Sequence, residues 1–118
     1  MPAARVLIIE DEMLIAMSIE DALSDAGFSV AGIAARVSDA LALLEQHNGI
    51  DAAVMDLNLV GQPSGPVADR LKELGIPFLV ITGYGSAGLP THHKKAPVIA
   101  KPFEPERMVA TLKDLLSP

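Results

Sequence analysis

The chain is predicted to fold as an α/β protein, a (βα)5 doubly wound sheet of five parallel strands. Three observations carry that expectation. Short runs that are apolar at every position alternate with amphipathic segments at a fairly regular interval, as βα units do. Glycines stand at the ends of the amphipathic segments, where freedom to adopt positive φ suits a helix C-terminus. The length of 118 residues, 50 % of them hydrophobic, is enough for one domain with a single core.

The first strand is Val6 to Ile9, apolar throughout, as expected where both faces are covered. The first helix begins near Glu12 and ends before Gly27. Its Ile15, Ile19, Ala22, Leu23 and Ala26 recur at helical spacing and are expected to face the sheet. The second strand is Val30 to Ala34. Ser38 is expected to cap a second helix that carries Ala40, Leu41, Leu43 and Leu44 and stops at Gly49. The third strand is Ala52 to Met55, and Asn58 to Gly65 form a loop. Pro66 suits the first turn of a short third helix with Val67, Leu71 and Leu74, ended by Gly75.

The fourth strand follows Pro77. Beyond it, residues 83–90 are poor helix material, since each glycine costs ~1 kcal/mol relative to alanine. The fourth helix is therefore expected to be short or mobile. The fifth strand is Val98 to Ala100. A last helix runs from about Pro105, with Met108, Val109, Leu112, Leu115 and Leu116 as its apolar stripe.

Composition narrows the function. The formal net charge is −6 and aromatics are 3 %, which disfavours both a phosphate-binding basic surface and a base-stacking platform. No apolar run approaches the ~20 residues needed to span a bilayer, and the start of the chain offers no signal-peptide pattern. With no cysteine there is no disulfide, thiolate metal site or redox motif. A cytoplasmic protein without direct nucleic-acid or membrane contact is expected.

The chemistry gathers where the apolar runs end. They stop in Glu10-Asp11, in Asp56, in Thr82 and in Lys101. In an open parallel sheet all these ends share one edge, and ligands bind there. Three carboxylates in one place repel unless a cation sits among them. Oxygen donors without Cys or His select Mg²⁺ or Mn²⁺ over zinc. Asp11 and Glu12 could instead simply start the first helix, where negative charge suits the macrodipole. That reading is adopted for Glu12, but it does not account for Asp56, which follows a different strand.

With the motifs Ile9-Glu10-Asp11-Glu12, Met55-Asp56-Leu57-Asn58, Ile81-Thr82-Gly83 and Lys101-Pro102-Phe103, the chain resembles the receiver domain of two-component response regulators. The resemblance covers essentially the whole chain and implies the flavodoxin-like receiver fold over residues 1–118, with no output domain. It implies that Asp56 accepts a phosphoryl group from a partner's phosphohistidine. Glu10, Asp11 and Asp56 would hold Mg²⁺, with the backbone carbonyl of Asn58 as a further ligand. Lys101 would supply a positive charge, and Thr82 a hydroxyl, to the new phosphoryl group. The resemblance also implies a cis peptide at Lys101–Pro102; only about 5–6 % of X-Pro bonds are cis in folded proteins.

Two departures from the family pattern matter. Glu10 stands at a position commonly aspartate, which should preserve metal binding. Val98 stands where many receivers carry a switch Tyr or Phe, so Tyr84, the only tyrosine, is the candidate replacement; the alternative is a partly exposed loop tyrosine. The segment Pro77 to Tyr84 is similar to a subgroup with a Pro-Phe-x-Phe-Ala-Thr-Gly-Tyr motif, rich in stand-alone receivers, although Val80 and Ile81 replace Phe-Ala. Mg²⁺ and phosphorylation are expected to order residues from Gly83 to Lys95.

A histidine kinase or histidine phosphotransfer protein is the implied partner. It would dock on Leu14, Ile15, Ser18, Pro102 and Phe103, with Met13 and Met17 adding apolar area; for Ile15 the competing role is core filling. A downstream protein target is also implied. The basic run from His92 to Lys95 is read mainly as a solvated loop, and His47 as a solvated helix end. The expectation is a switch rather than an enzyme. The competing readings are a phosphorylation-independent adaptor, a flavodoxin-like FMN binder and a Mg²⁺-dependent phosphatase with an aspartate nucleophile. The phosphatase would need an aspartate at the position of Asn58, and Glu10-Asp11 would repel the phosphate of FMN.

Overall fold

Leu7 and Ile9 point to one side of β1 (Arg5–Ile9), Val6 and Ile8 to the other, and all four are fully buried. A strand apolar on both faces needs cover on both, and the chain provides it by winding in two directions. The structure, a computed structural model, describes residues 3–46, 49–59, 62–83 and 96–117. Its elements are β1, α1 (Met13–Asp25), β2 (Ser29–Ala34), α2 (Val37–Gln46), β3 (Ala52–Asp56), β4 (Asn58–Leu59), β5 (Gln62–Pro63), α3 (Gly65–Glu73), β6 (Phe78–Thr82), β7 (Val98–Ala100) and α4 (Pro105–Leu116).

Five strands form one parallel sheet in the order β2-β1-β3-β6-β7. Alternate residues sort into two cores. Leu7, Ile9, Ala53, Met55 and Val80 pack with Ala40 and Leu44 of α2 and Val67 and Leu71 of α3. Val6, Ile8, Val54, Leu79 and Ile81 pack with Ala16, Ile19 and Leu23 of α1 and Met108 and Leu112 of α4. The order reverses direction at β1 and β3, so a crevice opens beyond their carboxyl ends.

The register places the strand ends. Ile9 pairs with Met55, which sets Glu10 beside Asp56. Asp56 pairs with Ile81, and Thr82 with Ala100, so Thr82 and Lys101 follow one step further along the same edge.

Three details differ from the sequence-based expectation. Helix α2 starts at Val37, and the carbonyl of Arg36 accepts its first bond, from the N–H of Ala40 at 3.0 Å; Ser38 is thus inside the first turn and not the cap. Residues 58–65 are not all loop: β4 and β5 pair as a small antiparallel ribbon, Asn58 with Pro63 and Leu59 with Gln62, and Gly65 already belongs to α3. On α1 the fully buried positions are Ala16, Ile19 and Leu23, while Ile15 and Ala22 are half-buried and Ala26 lies past the helix end. Ala16, fully buried in this core, was not among the residues expected to face the sheet. The expected short fourth helix, Tyr84, the run 92–95 and His47 lie outside the described residues.

None of the described helices is long and apolar enough to cross a membrane. Gly27, just past α1, and Gly75, just past α3, rely on their missing side chain, with φ of 90° and 71°. Nothing lies within 4 Å of a Cβ built at either site, so the cost of substitution there is backbone strain alone. Replacing Gly27 by alanine is expected to destabilise the fold by about 1–2 kcal/mol. Urea denaturation should read this as a lower midpoint with an unchanged slope.

Candidate functional site

Carboxylate oxygens of Glu10, Asp11 and Asp56 all lie within 4.8 Å of one another at the crevice. Each arrives there because an apolar strand ends: Glu10 and Asp11 follow β1, and Asp56 closes β3. Glu10 and Asp56 are buried, and Asp11 is the most exposed of the three. The N–H of Asp11 donates to Glu10 Oε2 at 3.0 Å.

Lys101, just past β7, reaches back across the sheet edge. Its Nζ lies 3.0 Å from Glu10 Oε1 and 3.2 Å from Asp56 Oδ2, with Glu12 Oε1 at 3.8 Å. It donates a hydrogen bond to Asp56. Glu10 Oε1 feels the charge of the lysine but accepts no aligned hydrogen bond, although it is buried. A single ammonium thus serves two buried carboxyl groups.

The electrostatics follow. Burial, and then the neighbouring Asp56 carboxyl, push the Glu10 pKa up to about 8; Lys101 pulls the other way and does not prevail. For Lys101, burial alone lowers the pKa, but the neighbouring acidic groups of Glu10 and Asp56 outweigh it, and the net direction is up.

These donors suit a hard divalent cation: three carboxylates, no sulfur or imidazole, and one buried oxygen without a hydrogen bond. Thr82, the last residue of β6, is buried on the same edge, and Gly83 after it is exposed. Asn58 begins β4, two residues after Asp56. The Lys101–Pro102 peptide bond is cis. Leu14 is 82 % exposed and Met13 68 %, and Met17 is also exposed, so α1 carries a bare apolar face beside the acids. Ser18 and Pro102 are exposed, whereas Ile15 and Phe103 are half-buried against the core.

Two contacts escaped the sequence reading. Glu12, assigned only to the helix start, also approaches Lys101. Ser64, fully buried, donates its hydroxyl to the backbone carbonyl of Asp56 at 2.5 Å. A serine directly before a Gly-Pro helix start is a recognisable cap signal, but it does not say what the side chain will bond.

Residues 6–113 match the family model of the response regulator receiver domain. The chain belongs to this family. It is similar to the phyllosphere-induced regulator PhyR of Methylorubrum extorquens, with 34 % identity over 97 % of this chain and 44 % of that protein. The chain spans about half the length of the curated relatives it matches. Among solved structures, SdrG from Sphingomonas melonis Fr1 is 38 % identical, with a TM-score of 0.84 over 99 % of each chain. The anti-anti-sigma factor PhyR from Bartonella quintana is 30 % identical, with a TM-score of 0.80 over 97 % of this chain and 47 % of that one.

The raised pKa of Glu10 has a consequence for the receiver's stability. Without metal, the folded state holds the Glu10 proton more tightly than the unfolded chain does. That contribution is fully present below about pH 4.5 and is lost as pH rises through about 8. In EDTA, the urea midpoint should fall across this window in the wild type and fall less in Glu10→Gln. Parallel curves for the two proteins would show that Glu10 is not the titrating group.

Proposed function

We propose that this receiver takes a phosphoryl group onto Asp56 from the phosphohistidine of a kinase or phosphotransfer protein, in the cytoplasm, and signals by protein contact. The observation that carries the reading is the buried Asp56 carboxylate, with Glu10 and Asp11 oxygens within 4.8 Å and the Lys101 ammonium at 3.2 Å.

In this reaction an Asp56 carboxylate oxygen attacks phosphorus, the P–N bond breaks, and the imidazole leaves. Phosphoryl transfer asks mainly for in-line positioning and charge neutralisation. Glu10, Asp11 and Asp56, with the Asn58 carbonyl, would hold Mg²⁺ (or Mn²⁺). When bound, it supplies positive charge between the carboxylate nucleophile and the incoming anion. Glu10 must first give up its proton. Lys101 turns from Asp56 toward a phosphoryl oxygen, and the Thr82 hydroxyl donates to another. Tyr84, Gly83 and the cis-linked Pro102 are proposed to carry the change onward. The donor docks on Leu14, Ile15, Ser18, Pro102 and Phe103, where apolar side chains of α1 stand open beside the acids.

Asn58 stands where an aspartyl phosphatase needs its acid, so the chain acts as a switch rather than a turnover enzyme. The Bartonella PhyR is an anti-anti-sigma factor, which supports an output through a downstream protein partner; the net charge of −6 disfavours one through DNA.

Incubation with acetyl phosphate and Mg²⁺ should add one phosphoryl group by intact mass, and Asp56→Asn should abolish it. An unmodified wild type would favour the phosphorylation-independent adaptor. Because Glu10 must lose a proton, Mg²⁺ affinity by calorimetry should strengthen as pH rises toward about 8 and level off above it. A flat profile from pH 6 to 9 would remove Glu10 from the metal site.

A further inference from the structure

Building on the proposed reading of the site, we infer that Ser64 is a positioning residue for the phosphoacceptor. Its hydroxyl fixes the backbone of Asp56, and with it the start of the segment that carries Asn58, in the arrangement that cation binding and phosphoryl uptake require.

Ser64 occupies the N-cap of α3, where a serine ordinarily accepts a hydrogen bond from an N–H of the first turn. It makes no such bond. Its hydroxyl points back and donates to the carbonyl of Asp56 at 2.5 Å, eight residues earlier. Its N–H donates to the carbonyl of Leu57 at 3.0 Å, and its carbonyl accepts from the N–H of Ala68 at 3.0 Å. Leu57 in turn donates its N–H to the carbonyl of Ile81 at 3.0 Å. One residue therefore ties the end of β3 to the start of α3 and closes the base of the excursion that contains β4 and β5.

The peptide plane between Asp56 and Leu57 is held at both ends, by Ser64 on the carbonyl and by Ile81 on the N–H. Turning that plane would break the bond to Ile81, redirect the Asp56 side chain at its root and shift Asn58. Ser64 is 1 % exposed, so water is poorly placed to replace its hydroxyl. A serine kept for capping would face its own helix; this one forgoes the cap and serves the nucleophile. It touches neither phosphoryl group nor cation and acts only through Asp56 and Asn58.

The test compares the wild type with Ser64→Ala and Ser64→Thr. Thermal midpoints are recorded in EDTA and across a Mg²⁺ titration, where the metal-induced rise reports affinity separately from basal stability. Phosphorylation by acetyl phosphate is followed at saturating donor and Mg²⁺. Removing an outer-shell partner of this kind typically costs about 10–100-fold. Ser64→Ala should therefore bind Mg²⁺ about tenfold or more weakly and lose a similar factor in saturating rate, with KM for acetyl phosphate little changed. Ser64→Thr, which keeps the hydroxyl, should recover both.

Wild-type affinity and rate in Ser64→Ala, whatever its midpoint in EDTA, would overturn the inference, as would a folded Ser64→Thr as impaired as the alanine variant. If the threonine variant does not fold, the alanine data decide alone. A wild type that binds Mg²⁺ but takes no phosphoryl group would sink the proposed function instead, and the Mg²⁺ titration of Ser64→Ala would still decide the role of Ser64.

Discussion

Glu10 and Asp56 emerge side by side from neighbouring parallel strands, both buried, with the ammonium of Lys101 about equally close to each. Much else in the molecule bears on that arrangement. The two carboxyl groups are adjacent because Ile9 pairs with Met55, and they are buried because helices cover both faces of the sheet behind them. One lysine cannot neutralise two buried acids, and burial beside Asp56 pushes the Glu10 pKa up to about 8. An arrangement that works against the stability of the free protein is the kind found where a fold serves a ligand rather than itself.

The same sheet explains why so much was legible in the sequence. Strands buried on both faces read as unbroken apolar runs, and their polar ends then mark the functional edge. Val6 to Ile9, Ala52 to Met55 and Phe78 to Ile81 are legible for that reason. The helices are recognisable from their apolar spacing: Ile19 and Leu23 are buried as expected and Ile15 and Ala22 pack partly buried on the core, while Ala16, buried as well, was not among the residues expected there. Ser38 misled because a serine near a helix start has two options, to cap it or to enter the first turn. Which one wins depends on the chain's path out of β2.

The β4–β5 ribbon and Ser64 were less legible. A two-residue strand has no periodicity to read, and its pairing depends on how residues 57 and 64 are tied together. The contact of Lys101 with Glu10 spans most of the chain and becomes visible only once the order β1-β3-β6-β7 is known. The residue types at the site could be recognised from the strand ends; the sharing of one cation between two of them is a property of register.

That sharing bears on how a switch could work here. Lys101 now lies against Glu10 and Asp56, whose oxygens, with Asp11, are the proposed cation ligands. Two positive charges do not settle comfortably on one small set of oxygens. In the proposed reaction, a cation among these acids would weaken the hold of the carboxylates on the lysine, and a phosphoryl group on Asp56 would offer it a new partner. Lys101 follows β7 directly, and its N–H donates to the carbonyl of Thr82 at 2.8 Å. The backbones around Lys101 and Thr82 are therefore joined, so in the proposed reaction a shift of charge at Asp56 would reach β6 and β7 together. That link runs backbone to backbone and does not involve the side chain of Val98.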